Sequence, residues 1–143
     1  MYEQHRFGMQ LTQLSRAWRA ELDRRLADLG LSQARWQVLL RLSRGKALPT
    51  QGELAANVGV ENPTLARLLD ALESQQLIER QVDDNDRRIK KIALTHSALA
   101  VIEKIEIIAA QLRKEVFAGI SEQAVQQCQE THARMLANLE KST

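Results

Sequence analysis

The chain has 143 residues, a net charge of +2, 44% apolar residues, few aromatics and two prolines. That length suits one compact domain, and the composition favours helices over a sandwich or barrel. No run of about 18 uncharged apolar residues exists and the opening MYEQHRFGMQ lacks the apolar core of a signal peptide, so a membrane span is excluded and a cytoplasmic protein is expected.

Leu11, Leu14, Trp18, Leu22, Leu26 and Leu29 recur at spacings of three and four, the stripe of a long amphipathic helix, and Gly30 ends it. Ser32 stands where an N-cap belongs, and Trp36, Leu39 and Leu40 mark a second helix that stops near Gly45. After the loop KALP, Thr50 and Glu53 form a T-x-x-E capping box that opens a short third helix. Gly59 supplies the turn, Asn62 is the expected cap and Pro63 the first helical residue of a fourth helix carrying Leu65, Leu68, Leu69 and Leu72. LIERQV and IKKIALT, separated by a polar turn, read as a β-hairpin. Thr95 caps a fifth helix with Leu99, Ile102, Ile105, Ala109, Leu112 and Val116 inward. Gly119 and Ser121 separate it from a sixth carrying Val125, Cys128, His132, Met135 and Leu139.

Residues 51–70, QGELAANVGVENPTLARLLD, have the pattern of a helix-turn-helix: Leu54, Val58, Val60, Leu65 and Leu68 for contacts, small Ala55 at the crossing, Gly59 in the turn. An ordinary αα-hairpin can show the same stripe; the ribbon that follows favours the DNA-reading motif. With the leucines inward, Pro63, Ala66, Arg67, Asp70 and Ser74 take the opposite face, and Asn62 and Thr64 lie exposed at its start. Such a face fits a major groove about 12 Å wide, where Arg67 can reach guanine acceptors and Thr64 a phosphate or a thymine methyl. Asp70 opposes phosphate unless it pairs with Arg67 or reads a cytosine amino group; a solvated helix charge is the plainer reading.

The stretch VDDNDRRIKKIALT, residues 82–95, places Arg87 and Arg88 at the tip of an acidic turn. A ribbon directly after a recognition helix is a wing, and arginines at its tip can enter a neighbouring minor groove, whose negative potential attracts guanidinium. Asp86, two residues from Arg88, can orient it by a charge-assisted hydrogen bond. Arg87 and Lys90 extend the basic surface, although a soluble strand edge would look alike.

LGLSQARWQVL, then QGELAANVGVENPTLARLLDALESQQLIERQ, and above all DDNDRRIKKIALT resemble the MarR family of winged helix-turn-helix regulators, and within it the SlyA-like branch. The last stretch resembles the family's D-x-R signature followed by the L-T that opens the next helix. The resemblance implies a mainly α fold with a small β-hairpin. In it a winged helix-turn-helix over residues 31–95 is flanked by dimerisation helices over 1–30 and 96–143. It implies a homodimeric regulator reading a palindromic, A·T-rich double-stranded operator, with Arg88 in the minor groove, Asp86 supporting it, and Arg67, Pro63, Thr64 and Ala66 on the recognition helix. Val101, Ile107 and Ile108 beside the main stripe independently suggest surface awaiting a second copy. Regulators of this family often bind small aromatic carboxylates, and Trp18, Arg19 and Trp36 match positions near that cleft. Trp18 on the core stripe and Trp36 on a buried helix side are equally what plain packing would produce.

Family members that sense peroxide place a reactive cysteine near the N-terminus, whereas the single cysteine, Cys128, falls on the last helix's apolar stripe and reads as core or dimer contact. His5, His96 and His132 lie too far apart for a metal set, His132 reads as a helix-packing residue, and no cofactor motif is present. No G-x-S-x-G, phosphate loop or paired acid supports an enzyme. The remaining rival is a winged-helix protein-interaction module without specific DNA binding.

Overall fold

The computed structural model describes residues 2–142; the outermost ends expected for the terminal helices, residues 1 and 143, lie outside them. The order is α1 (Tyr2–Leu26), a 3-10 turn (Ala27–Leu29), α2 (Gln33–Arg44), α3 (Gln51–Val58), α4 (Asn62–Ser74), β1 (Ile78–Val82), β2 (Lys90–Leu94), α5 (His96–Val116) and α6 (Glu122–Lys141). The chain is thus mainly helical with one antiparallel hairpin, the winged helix-turn-helix architecture with helices at both ends. It forms two compact units, Met1–Ala109 and Ala110–Thr143.

The first unit is built around Leu26, Val38, Leu39, Leu54, Leu65, Leu69, Leu72, Ile78, Ile92 and Ile105, all essentially without solvent exposure. Each such side chain is worth about 1.5–3 kcal/mol of burial, so this cluster fixes where the recognition elements point. Local chemistry sets the boundaries. Ser32 accepts from the Arg35 amide at 3.4 Å, Gly30 closes the 3-10 turn in a left-handed conformation, and Gly59 (φ 82°) ends α3 with its amide bonded to the Ala55 carbonyl at 2.9 Å. Only half of the capping box forms: the Thr50 hydroxyl accepts from the Glu53 amide at 3.2 Å while the Glu53 side chain stays exposed. The chain there pairs like a strand, Thr50 opposite Lys91, with the Ile92 amide donating to the Pro49 carbonyl at 3.0 Å.

Four expectations are corrected. The cap of α4 is Glu61, not Asn62, because the Glu61 carbonyl already accepts from the Leu65 amide at 3.0 Å; Asn62 and Pro63 fall inside the first turn. On α5 the buried stripe starts at Ala98, with Leu99 54% exposed. The Thr95 hydroxyl accepts from the Ala98 amide, and from Ala98 the spacing of four, three and four leads to Ile102, Ile105 and Ala109; Leu99 lies one helical step off that face. On α1 only Leu22 and Leu26 are buried, while Leu14 is exposed and Leu11 and Trp18 half-buried. No residue of α6 is buried: Cys128, His132 and Leu139 are exposed, so none is core in the single chain.

The passage from α4 to the hairpin carries backbone strain. The Leu77 amide donates to the Leu72 carbonyl and the Gln76 amide to that of Glu73, both at 2.9 Å, a Schellman ending in which Leu77 and Leu72 are both buried. Its left-handed position is Gln76 (φ 62°), the one non-glycine with positive φ among the described residues. The Thr95 hydroxyl donates to the Gln76 carbonyl at 2.6 Å and the Thr95 amide to that of Leu77 at 3.1 Å, tying the start of α5 to the end of α4. A side chain in this conformation costs about 1–2 kcal/mol, partly offset by glycine's larger entropy loss. Gln76→Gly is therefore expected to raise the unfolding free energy by about 0.5–1 kcal/mol in urea titration, with unchanged m-value.

Candidate nucleic-acid interface

Burial of Leu65, Leu69 and Leu72 turns the other side of α4 to solvent. Asn62, Pro63, Thr64 and Arg67 are exposed along it and Ala66 is half-buried; Arg67 makes no ion pair among the described residues. Asp70 does not pair with Arg67; it remains 69% exposed and takes its partner from the hairpin. Arg80 of β1 donates to Asp70 Oδ1 at 2.8 Å, to the Ala66 carbonyl at 3.3 Å, and lies 3.4 Å from Glu73 Oε1, with only 17% of its side chain exposed. One guanidinium therefore bridges the hairpin to the helix and offsets half the charge of the two acids beside it. The negative charge that weighed against a phosphate-facing helix is partly compensated from within.

The hairpin pairs Ile78 with Leu94 through to Val82 with Lys90, and Ile78, Ile92 and Ala93 face the core. At its tip the Asp83 amide bonds the Ile89 carbonyl at 2.9 Å and the Ile89 amide that of Asp86 at 3.0 Å. Asp86 accepts three bonds from Arg88: the backbone amide at 3.0 Å and the guanidinium Nε and Nη2 at 3.2 Å each. The Arg88 side chain is nevertheless 91% exposed, held by its root and open at its outer face. These bonds hold the Asp86 carboxyl below its usual range. Asp83 lies 3.5 Å from Lys91, whereas Arg87 and Lys90 are exposed and make no ion pair among the described residues.

A cavity of about 570 Å³ opens among α1, α2 and the end of α3, walled by Trp18, Leu22, Trp36 and Leu40. Arg19, Arg41 and Arg44 also line it. Trp36 is buried, and its indole N–H has no acceptor among the described residues. Arg44 Nη2 lies 3.3 Å from Glu106 Oε1 of α5, and no acid among the described residues pairs with Arg19 or Arg41. The expected trio Trp18, Arg19 and Trp36 thus converges on one cavity, and Trp36 both packs and lines it.

Sequence reasoning missed Arg41, Arg44 and Arg80. For the first two a signal existed: Gln37, Arg41 and Arg44 follow each other at spacings of four and three, one face of α2. For Arg80 none did, since its partners Asp70 and Glu73 become neighbours only when β1 folds back along α4.

The geometry of the tip has a direct readout. Because hydrogen bonds from Arg88 stabilise the charged carboxylate, Asp86 is expected to titrate below the ordinary aspartate range in a carbon-detected NMR titration. Arg88→Ala should move its midpoint upward. Any stabilisation from this pair is present above the unfolded pKa and lost as pH falls through the lowered folded one.

A sequence model of the MarR family matches residues 31–90. Among solved structures, the transcriptional regulator PA3341 is 59% identical over 94% of this chain and 98% of its own, with a TM-score of 0.88. A MarR-family transcriptional regulator from Silicibacter pomeroyi is 32% identical over 90% of this chain and 86% of its own, with a TM-score of 0.77. MepR of S. aureus, solved as a complex with DNA, is 25% identical over 92% of this chain and 97% of its own, with a TM-score of 0.81. On this likeness over nearly the whole length, the chain belongs to the MarR family of transcriptional regulators.

Proposed function

We propose that this chain is a homodimeric regulator that binds a palindromic, A·T-rich double-stranded DNA operator and is released from it by a small aromatic carboxylate. Residues 31–95 are the reader and the helices over 1–30 and 96–143 the dimerisation elements; within the family the quoted motifs favour the SlyA-like branch. The observation that carries the reading is Arg88, anchored through three hydrogen bonds to Asp86 yet 91% exposed. A guanidinium ordered in advance pays little entropy on entering a narrow minor groove. Arg67, Thr64, Asn62, Pro63 and Ala66 read the adjacent major groove, and Arg87 and Lys90 contact phosphate. The DNA complex of MepR, a structural relative, supports DNA as the partner.

Dimerisation rests on apolar surface. Phe7, Met9, Leu14, Ile107, Leu136 and Leu139 are exposed on the first and last two helices, apolar surface that a second copy would cover. A two-fold dimer would place its recognition helices in successive major grooves roughly 34 Å apart. For the effector, the cavity offers two indole walls and three arginines, a setting for a flat organic anion. Its release of DNA requires unequal affinity for the DNA-spaced and other arrangements of the dimer.

Binding to an A·T-rich palindromic library and to scrambled DNA across a salt series tests the reading. The parent should bind selectively with a steep salt slope, and Arg88→Ala should weaken binding by about 1–3 kcal/mol. Arg80→Met, which uncovers Asp70 and Glu73 on the reading face, should weaken it as well without removing a DNA contact. Equal, salt-insensitive binding by parent and variants would instead favour a protein-interaction module.

A further inference from the structure

The cavity's three arginines are not equivalent. Arg19 and Arg41 have no acidic partner among the described residues, whereas Arg44, at the C-terminal end of α2, points one guanidinium nitrogen at Glu106 of α5 across 3.3 Å. The pair is exposed, 60% of the Arg44 side chain and 37% of that of Glu106, and an exposed ion pair of this kind contributes little. The cavity walls, in contrast, are indole and leucine, a setting where a carboxylate meets arginine with less competition from water. Trp36 adds a buried N–H that lacks an acceptor among the described residues.

We propose that Arg44 is shared: a flat organic carboxylate entering the cavity takes its guanidinium from Glu106, so the Arg44–Glu106 pair sets how tightly the cavity holds an anion and frees α5 when the anion binds. This rests on the reading of the cavity as an anion site and adds the built-in competitor. Glu106 occupies the arginine in the empty cavity and keeps a charge compensated that would otherwise face Arg41, three residues away on the same helix. An anion replaces Glu106 as the partner, and the ion-pair link from α2 to α5 is exchanged for a link from α2 to the ligand. The affinity lost to this competition is small because the resident pair is weak, which makes the exchange reversible. A neutral molecule of the same shape cannot perform it.

The two tryptophans of the chain, Trp18 and Trp36, both line the cavity, so intrinsic fluorescence reports occupancy directly. The full-length protein is titrated with benzoate and with neutral benzamide, as the parent, Glu106→Gln, Arg44→Gln and the double variant, each first checked by thermal unfolding. Glu106→Gln is expected to bind benzoate about three- to fivefold more tightly, the size of an exposed ion pair, with benzamide unaffected. Arg44→Gln should weaken benzoate about tenfold, and in that background Glu106→Gln should change nothing. Benzoate binding that is identical in parent and Glu106→Gln, with Arg44→Gln still weakened, overturns the exchange and leaves the anion cavity standing. No response to benzoate in any form, or equal binding of benzoate and benzamide, overturns both.

Discussion

Burial of one side of α4 is the constraint on which the rest depends. Leu65, Leu69 and Leu72 are completely enclosed, so the helix cannot rotate without moving three leucines into water, about 1.5–3 kcal/mol for each. That locks the azimuth of Thr64 and Arg67 more firmly than any polar contact on the outer face. The hairpin depends on the same cluster: Ile78 and Ile92 close it from the other side. Arg80 then converts a hydrophobic arrangement into an electrostatic one, because it reaches Asp70 and Glu73 only when β1 lies along α4.

Much of this was legible in the sequence because it is local. Ser32, Thr50, Gly59 and Thr95 act within a few residues of their partners, and their spacing alone predicts where helices begin and end. Asp86 and Arg88 are two residues apart, so their pairing was also readable. Misjudged features were set by neighbours distant in the chain. Leu99 looked inward on apolarity, but the buried face of α5 runs through Ala98, Ile102, Ile105 and Ala109, a phase set by tertiary packing, with Leu99 one helical step off it. Cys128 and His132 share a stripe that a sequence cannot assign to a core or to a second molecule; in the single chain both are in solvent. The pairing of Arg80 with Asp70 and Glu73, and the approach of Arg19 to the α2 face that carries Arg41 and Arg44, arise from tertiary folding; only the shared face of the last two is readable from spacing.

Charge placement lets a chain with a net charge of only +2 present a locally basic surface along α4 and the hairpin tip. Four acids near α4 and the hairpin are engaged, Asp70 and Glu73 by Arg80, Asp83 by Lys91 and Asp86 by Arg88, while Asp84 stays exposed in the turn. Among the described residues Arg67, Arg87 and Lys90 carry no such partner, and all three are exposed. The local field, not the sum over the chain, is what an approaching polyanion meets.

The hairpin is fastened at its base as well as at its tip. Thr95 grips the carbonyls of Gln76 and Leu77, and Pro49 accepts from the Ile92 amide, so strand register is decided below residue 83 and above residue 89. A slip of one residue would turn Ile78 and Ile92 outward, and these anchors oppose it. The intervening turn is therefore free to change in length and composition without disturbing the core. The reach of the arginine at its end becomes an evolvable dimension of the molecule, one that natural variation can adjust while the scaffold beneath stays constant.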